Sequence, residues 1–278
     1  MPQLVPVTHH MADPIAFARE RLDFHPDDTQ ALVLDPRVPR GILNCCRQWG
    51  KSTTVAVLAV WRAFHFPGSL IIVAGPTARQ SGEFIFKAAG LLRLLGIQPR
   101  GDGYNKISLL LPNGSRLIGI PGNEGGIRGF SRVDLLLIDE AARVRDELYL
   151  ALRPMLATSE RGAIWLLSTP FGRRGFFYDE WVNAEANWTR IHAPATACPR
   201  INPEYLAEER LHHTDQNFRQ EYLCEFVAAD HAYFDPDAVA DAFRKRPAHP
   251  ASAPVGTSPP SPMPTPLTTH SPPPEPRA

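Results

Sequence analysis

Residues Cys46-Arg47-Gln48-Trp49-Gly50-Lys51-Ser52-Thr53 combine a glycine, a lysine and two hydroxyls at a spacing suited to holding a triphosphate. A glycine lets the backbone curl until successive N–H groups converge on phosphate oxygens. A helix starting directly after it adds the positive end of its dipole. In such a loop Lys51 reaches the β- and γ-phosphates of ATP, and the Ser52 hydroxyl ligates Mg²⁺. Gln48, Gly50 and Thr53 complete the expected ATP contacts. The usual G-x-x-x-x-G-K-[ST] pattern is incomplete, because its first glycine would fall at Cys45. Arg47 places a cation inside the loop, where it can touch the γ-phosphate from within the same subunit and stabilise transition-state charge. An exposed loop arginine is the alternative.

A second cluster follows downstream, where Leu135-Leu136-Leu137-Ile138 runs into Asp139-Glu140. A buried parallel strand with Asp139 at its C-terminal end would place that carboxylate beside the metal, opposite Ser52. Glu140 would then polarise the attacking water. Without the phosphate loop the same pattern reads as a core strand ending in a solvated acidic turn. After the apolar run Ala163–Leu167 come Ser168-Thr169-Pro170-Phe171-Gly172, small hydroxyl residues that can sense the γ-phosphate from a strand tip. A plain strand-to-loop turn is an equal reading of that segment.

These side chains need a scaffold, and the hydrophobic pattern predicts one. Gly41–Cys46, Leu70–Ala74, Val133–Ile138 and Ala163–Leu167 read as short buried strands. Helices are expected over Ser52–Phe66, Gln80–Leu95, from about Asp146, over Pro203–Leu211 and over Asp215–Cys224. Lys106–Leu111 and Arg116–Ile120 flank Pro112-Asn113-Gly114-Ser115, a hairpin signal. Continuously apolar strands alternating with helices indicate an α/β fold: a P-loop NTPase with a central, mostly parallel sheet flanked by helices on both faces. Residues 1–22 read as an N-terminal segment and 23–243 as the ATPase domain. Residues 244–278 read as a disordered tail, since Pro247–Ala278 holds 12 of the 29 prolines and almost no large apolar side chains.

Composition narrows the classes further. The 278 residues are 44% hydrophobic, enough for a core, and no run approaches the ~18–20 apolar residues of a membrane span. The N-terminus has no signal-peptide pattern. Cys45, Cys46, Cys198 and Cys224 show neither paired nor metal-ligand spacing, which points to a reducing cytoplasm rather than a disulfide framework. Twenty-nine basic residues balance 29 acidic ones, so no global field argues for nucleic acid. The basic residues are 25 Arg and 4 Lys, so a lysine inside Gly-Lys-Ser-Thr is hard to ascribe to composition.

From about Phe24 to Phe243 the chain resembles the large terminase subunits of tailed bacteriophages and prophages. The loop Cys46–Thr53 is its most specific piece. Gly122–Ser131, Asp139-Glu140-Ala141-Ala142 and Leu167-Ser168-Thr169-Pro170 are similar to the family in the family's order. The resemblance implies an ATP-driven motor that moves double-stranded DNA into a procapsid, with Lys51, Ser52, Asp139 and Glu140 in the roles given above. It implies that Arg47 is the loop arginine and that Ser168, Thr169 and Pro170 couple hydrolysis to movement. Phe24, Pro26, Asp27 and Gln30 resemble the adenine-holding segment, with Gln30 as the hydrogen-bonding residue; a generic helix start fits nearly as well. Implied partners are a portal protein, a small terminase subunit and further copies of the chain in a ring, in the host cytoplasm and transiently on the procapsid. In such a ring Arg128, flanked by glycines, would complete a neighbour's site in trans. A DNA-backbone or structural arginine is the alternative.

The family's metal-dependent nuclease would begin near Phe243, where the resemblance stops. Beyond Phe226 the acidic residues are Asp230, Asp235, Asp237, Asp241 and Glu275. Four of them crowd into twelve residues without a strand framework to aim them at a metal pair, so no DNA cleavage is expected from this chain. Two other functional readings remain. One is a helicase-like translocase, which needs a second motor domain. The other is a prophage remnant that binds ATP or DNA without productive turnover.

Overall fold

The computed structural model describes residues 13–122, 129–183 and 187–228. The chain divides into two units, Met1–Tyr233 and Phe234–Ala278, and the described residues all fall in the first. The tail and the acidic residues beyond Phe226 lie outside them.

Helices α1 (Pro14–Leu22) and α2 (Asp28–Leu34) precede β1 (Arg40–Cys45), α3 (Lys51–His65), β2 (Leu70–Gly75) and α4 (Ala78–Leu94). The hairpin β3 (Ser108–Leu110) and β4 (Arg116–Pro121) follows, then β5 (Leu135–Asp139), α5 (Asp146–Leu152) and β6 (Ala163–Ser168). The described part closes with α6 (Gly175–Asn183), β7 (Thr189–Ala193), α7 (Pro203–His212) and α8 (Asp215–Glu221). The strands form one seven-stranded sheet in the order β3-β4-β2-β5-β6-β1-β7. Every neighbouring pair is parallel except β3 with β4. This is the α/β architecture the strand and helix pattern predicts.

Alternation along the strands builds two cores. Leu43, Ile71, Val73, Leu135, Leu137, Trp165 and Leu167 face one layer, which contains α1, α3 and α4. Ile42, Ile72, Leu136, Ile138, Ile164 and Leu166 face the other, which contains α5 and α6. Because both faces are covered, the central strands are apolar at nearly every position. Gly41 is required by this packing: a Cβ there would sit 2.3 Å from the Trp165 ring of the adjacent strand.

The order of strands positions the chemistry. β6 stands between β1 and β5, so its tip separates the phosphate loop from the acidic pair. The register sets Asn44 beside Ser168 and Leu167 beside Asp139. All parallel strands end at one sheet edge, where open α/β sheets bind ligands.

Several expectations need adjustment. The hairpin is real but its first strand is only Ser108–Leu110, and α8 stops at Glu221 rather than Cys224. Cys224 itself adopts φ 60° and turns the chain away. Helix α4 begins at Ala78, where the Thr77 side chain caps the Gln80 N–H. Four elements lack a sequence-based forecast: α1, α2 as a formed helix, α6 and β7. Helix α1 buries Phe17, Ala18 and Leu22 in the core, although residues 1–22 read as a separate segment.

Candidate active site

Gly50 is the N-cap of α3 with φ 96°, a left-handed conformation that a side chain would strain. An added Cβ would also meet Gln30 Nε2 at 3.2 Å. No side chain caps this helix, so its first N–H groups are left for a ligand. Cys45 and Cys46 occupy the stretch where a second glycine is usual. Both are fully buried, and burial pushes the Cys46 thiol up to about 12. They are inert packing that braces the loop, together with buried Trp49. Its carbonyl accepts from Gln30 Nε2 at 3.4 Å and from Arg200 Nη2 at 2.6 Å.

The loop faces the acidic pair across a cleft of about 380 Å³, lined among others by Arg47, Gln48, Gly50, Lys51, Ser52 and Thr53. Ser52 Oγ donates to Asp139 Oδ2 at 2.9 Å. Lys51 Nζ lies 2.8 Å from Glu140 Oε1. Glu140 has φ 52°, and its N–H donates to Asp139 Oδ1 at 3.0 Å. That turn at the strand end places two successive carboxylates in one site, one on Ser52 and one on Lys51. Left-handed non-glycine residues such as Glu140 and Gln48 (φ 61°) cost on the order of 1–3 kcal/mol each. They stand on the two facing loops.

Electrostatics follow from this packing. Burial raises the Asp139 carboxyl above its usual value, and the nearby Lys51 ammonium only partly offsets it. Burial works against the Lys51 charge too, but Glu140 and Asp139 outweigh it and hold lysine above its ordinary value. Asp139 and Ser52 are hard oxygen donors, brought together at 2.9 Å. Magnesium bound with a triphosphate takes one or two protein oxygens, with phosphates and water completing the shell. The donor set fits that ion.

Arg143 and Glu221 have no forecast in the sequence. Arg143 sits 3.3 Å from Glu140 Oε2 and 3.5 Å from Glu221 Oε1, and its guanidinium lies 4.7 Å from the Phe171 ring centroid. Glu221, at the end of α8, also holds Arg47 Nε at 2.5 Å. An alternating chain Lys51–Glu140–Arg143–Glu221–Arg47 therefore spans the mouth of the cleft. The sequence separation of 174 residues between Arg47 and Glu221 hides their pairing from any local pattern. Asn44 Nδ2 on the Cys224 carbonyl (2.9 Å) and the Ala195 N–H on the Tyr222 carbonyl (2.7 Å) fix the segment that carries Glu221.

The other expected residues divide. Thr169 lines the cleft, and Ser168 is buried beneath it, accepting from the Ala142 N–H at 3.2 Å and donating to the Thr169 carbonyl at 2.7 Å. This ties the β6 tip to the turn after Glu140. Pro170 does not line the cleft. Gln30 is only 3% exposed and also stays out of it: its Oε1 accepts from the Asp27 N–H at 3.2 Å in a capping box. Its carboxamide is spent on the helix start and the loop, which is the generic helix-start reading of that segment. Arg128 lies outside the described residues. Gln80 and Lys87 of α4 join the cleft without having been singled out.

The Arg47–Glu221 pair has a measurable consequence. A nucleotide that recruits Arg47 must first draw it from Glu221. Glu221→Gln should therefore tighten ATP binding, by at most a few-fold because the Arg47 side chain is 63% exposed. Calorimetric titration checks this, and weaker binding in the variant counts against a competing role for Glu221.

Residues 42–240 match the family profile described as terminase large subunit, T4likevirus-type, N-terminal. The chain is 26% identical over 251 residues to the terminase large subunit of Thermus virus P23-45, covering 77% of this chain and 51% of that protein. It thus spans about half the length of the curated relatives it matches. Among solved structures, the large terminase ATPase domain of Thermus phage P74-26 superposes with a TM-score of 0.67 at 24% identity, covering 76% of this chain and 97% of that one. The large terminase of another thermophilic bacteriophage, solved in complex with ATP-gamma-S, gives 0.61 at 14% identity over 72% of this chain and 52% of that one. These likenesses carry the fold.

Proposed function

We propose, from the premise that this chain belongs to the T4likevirus-type family of terminase large subunits, that it hydrolyses ATP as the engine of a DNA-packaging motor. The observation that carries the reading is the convergence of Lys51 and Ser52 on Glu140 and Asp139, at 2.8 and 2.9 Å, above an uncapped helix start. The ATP-gamma-S complex of the thermophilic bacteriophage terminase supports the choice of nucleotide.

The N–H groups after Gly50 would receive the β-phosphate, and Lys51 would exchange Glu140 for the β- and γ-phosphates. Ser52 and Asp139 would hold Mg²⁺, which would offset the charge of the phosphates when bound. Glu140, once released by Lys51, becomes free to polarise a water in line with the γ-phosphate. Arg143 keeps Glu140 tethered at the site. Arg47 would leave Glu221 for the γ-phosphate and stabilise developing charge. Ser168 and Thr169 would report the change through the Ala142 N–H, with Pro170 stiffening the exit of the strand.

Double-stranded DNA, a portal protein and a small terminase subunit are the proposed partners. In a ring of copies, Arg128 would serve a neighbour's site. No described helix is long and apolar enough to cross a membrane. The direct test is phosphate release by the purified chain with Mg²⁺, with and without linear duplex DNA. Magnesium-dependent turnover that DNA stimulates is expected. A chain that binds ATP but never turns it over, with or without DNA, would leave the motor reading without support.

A further inference from the structure

Trp49 carries the turn of the phosphate loop, between Gln48 at φ 61° and Gly50 at φ 96°. Its peptide bond to Gly50 is trans and planar, so the Trp49 carbonyl and the Gly50 N–H point in opposite directions. Whatever holds that carbonyl decides where the N–H is aimed. We propose that Arg200 is a positioning residue of the phosphate site: by taking the Trp49 carbonyl on the side away from the cleft, it keeps the Gly50 N–H turned into the cleft. The inference deepens the ATPase reading and rests on it.

The loop divides its own donors. The N–H groups of Cys46 and Arg47 are tied back to the Ala193 and Glu221 carbonyls, at 3.0 and 3.3 Å. Those of Gln48, Trp49 and Gly50 meet no acceptor among the described residues, and all three residues line the cleft. They are the backbone donors left for a phosphate. Gly50 is also where this arrangement can fail. A glycine takes φ of either sign, so the peptide before it can turn over. The Trp49 oxygen would then face the phosphates and repel them.

Two donors oppose that flip, and they are unequal. Gln30 Nε2 reaches the Trp49 carbonyl at 3.4 Å, the long limit for a hydrogen bond. Arg200 Nη2 reaches it at 2.6 Å and carries charge, which makes a hydrogen bond roughly twice as strong as a neutral one. The other terminal nitrogen, Nη1, lies 2.5 Å from Oδ2 of Asp27, the residue that caps α2. One planar fork thus ties the loop to a helix start, which the point charge of a lysine could not do. Arg200 itself stands on a closed turn, with the Ile201 N–H donating to the carbonyl of buried Cys198 at 3.1 Å. Arg200 does not line the cleft, so its effect on a ligand passes through the Trp49 peptide.

Calorimetric binding of two probes with Mg²⁺, ATP and inorganic triphosphate, tests the assignment. Arg200→Ala should weaken both by the same factor, about ten-fold, the low end for a charged hydrogen bond because the Arg200 side chain is 41% exposed. Arg200→Lys, which keeps the charge without the fork, should lose less, about three-fold. Guanidinium ion far below denaturing concentration should restore the affinity of Arg200→Ala, whereas methylammonium should not. In steady-state phosphate release the loss should fall on KM, with kcat changed by less than about two-fold, because bound phosphates then hold the peptide themselves. Thermal melts establish that the variants fold; if Arg200→Ala does not, wild-type affinity in Arg200→Lys overturns the proposal. Unchanged affinity in folded Arg200→Ala also overturns it, as does a loss confined to kcat. A loss confined to ATP overturns it too, since Arg200 would then touch the nucleoside. Wild-type protein that binds neither probe overturns the ATPase reading itself, a result distinct from affinity lost in the variant alone.

Discussion

Glu140→Gln is expected to lower ATP turnover by about 10²–10⁴-fold while ATP binds at least as tightly as to wild type. The two halves of that result have different origins. Polarising a water matters in the transition state and leaves ground-state affinity untouched. Affinity is governed by Lys51, whose ammonium rests 2.8 Å from the Glu140 carboxylate before any phosphate arrives. A nucleotide must displace that carboxylate, and a carboxamide is the weaker competitor. Lys51→Ala should behave differently, losing turnover and binding together, because its cation serves ground and transition states alike. Phosphate release and calorimetric Kd on the two variants separate these roles. Weaker ATP binding in Glu140→Gln, or sustained turnover in Lys51→Ala, would remove the roles assigned to the pair.

How far the sequence revealed this site depended on the range of each interaction. Gly50–Thr53 and Asp139-Glu140 are legible because each is a local pattern: an apolar strand, a sharp turn, then polar groups at fixed spacing. The buried strands β1, β2, β5 and β6 announce themselves as continuous apolar runs. β7 does not, since Thr189, Arg190 and His192 are exposed and only Ile191 and Ala193 face the interior. Helix α1 is masked for a similar reason, burying few residues among several charges. Arg143 and Glu221 escape notice because nothing local distinguishes them; their meaning arises where α8 folds back over the loop. Gln30 shows the reverse. A helix start with a glutamine at its third position fits a ligand role and a capping box equally, and only the direction of the carboxamide separates them.

Asp139→Asn should abolish magnesium-dependent hydrolysis and yet leave the nucleotide-free protein as stable as wild type, or more stable. A neutral carboxamide oxygen is a weaker magnesium ligand than a carboxylate, so the loss of turnover should match or exceed that of Glu140→Gln. Stability runs the other way. Asp139 is 7% exposed, and burial raises its carboxyl above the usual 3.8 despite the Lys51 charge beside it. The folded state therefore holds the proton more readily than the unfolded chain. Stability contributed by this group falls as pH rises from 3.8 through the folded value, and at neutral pH its charge is a net cost. Asparagine removes that cost, and its Oδ1 can still accept from Ser52 Oγ or from the Glu140 N–H. Each kcal/mol recovered corresponds to about 2–4 °C for a domain of this size. Thermal melts without nucleotide should show the variant level with or above wild type at pH 7. Any advantage should shrink as the pH is lowered towards 4 and wild-type Asp139 takes up its proton. A variant that melts several degrees lower at pH 7 would show instead that the carboxylate is a structural anchor of the β5–loop junction, and not a charge held in readiness for a metal.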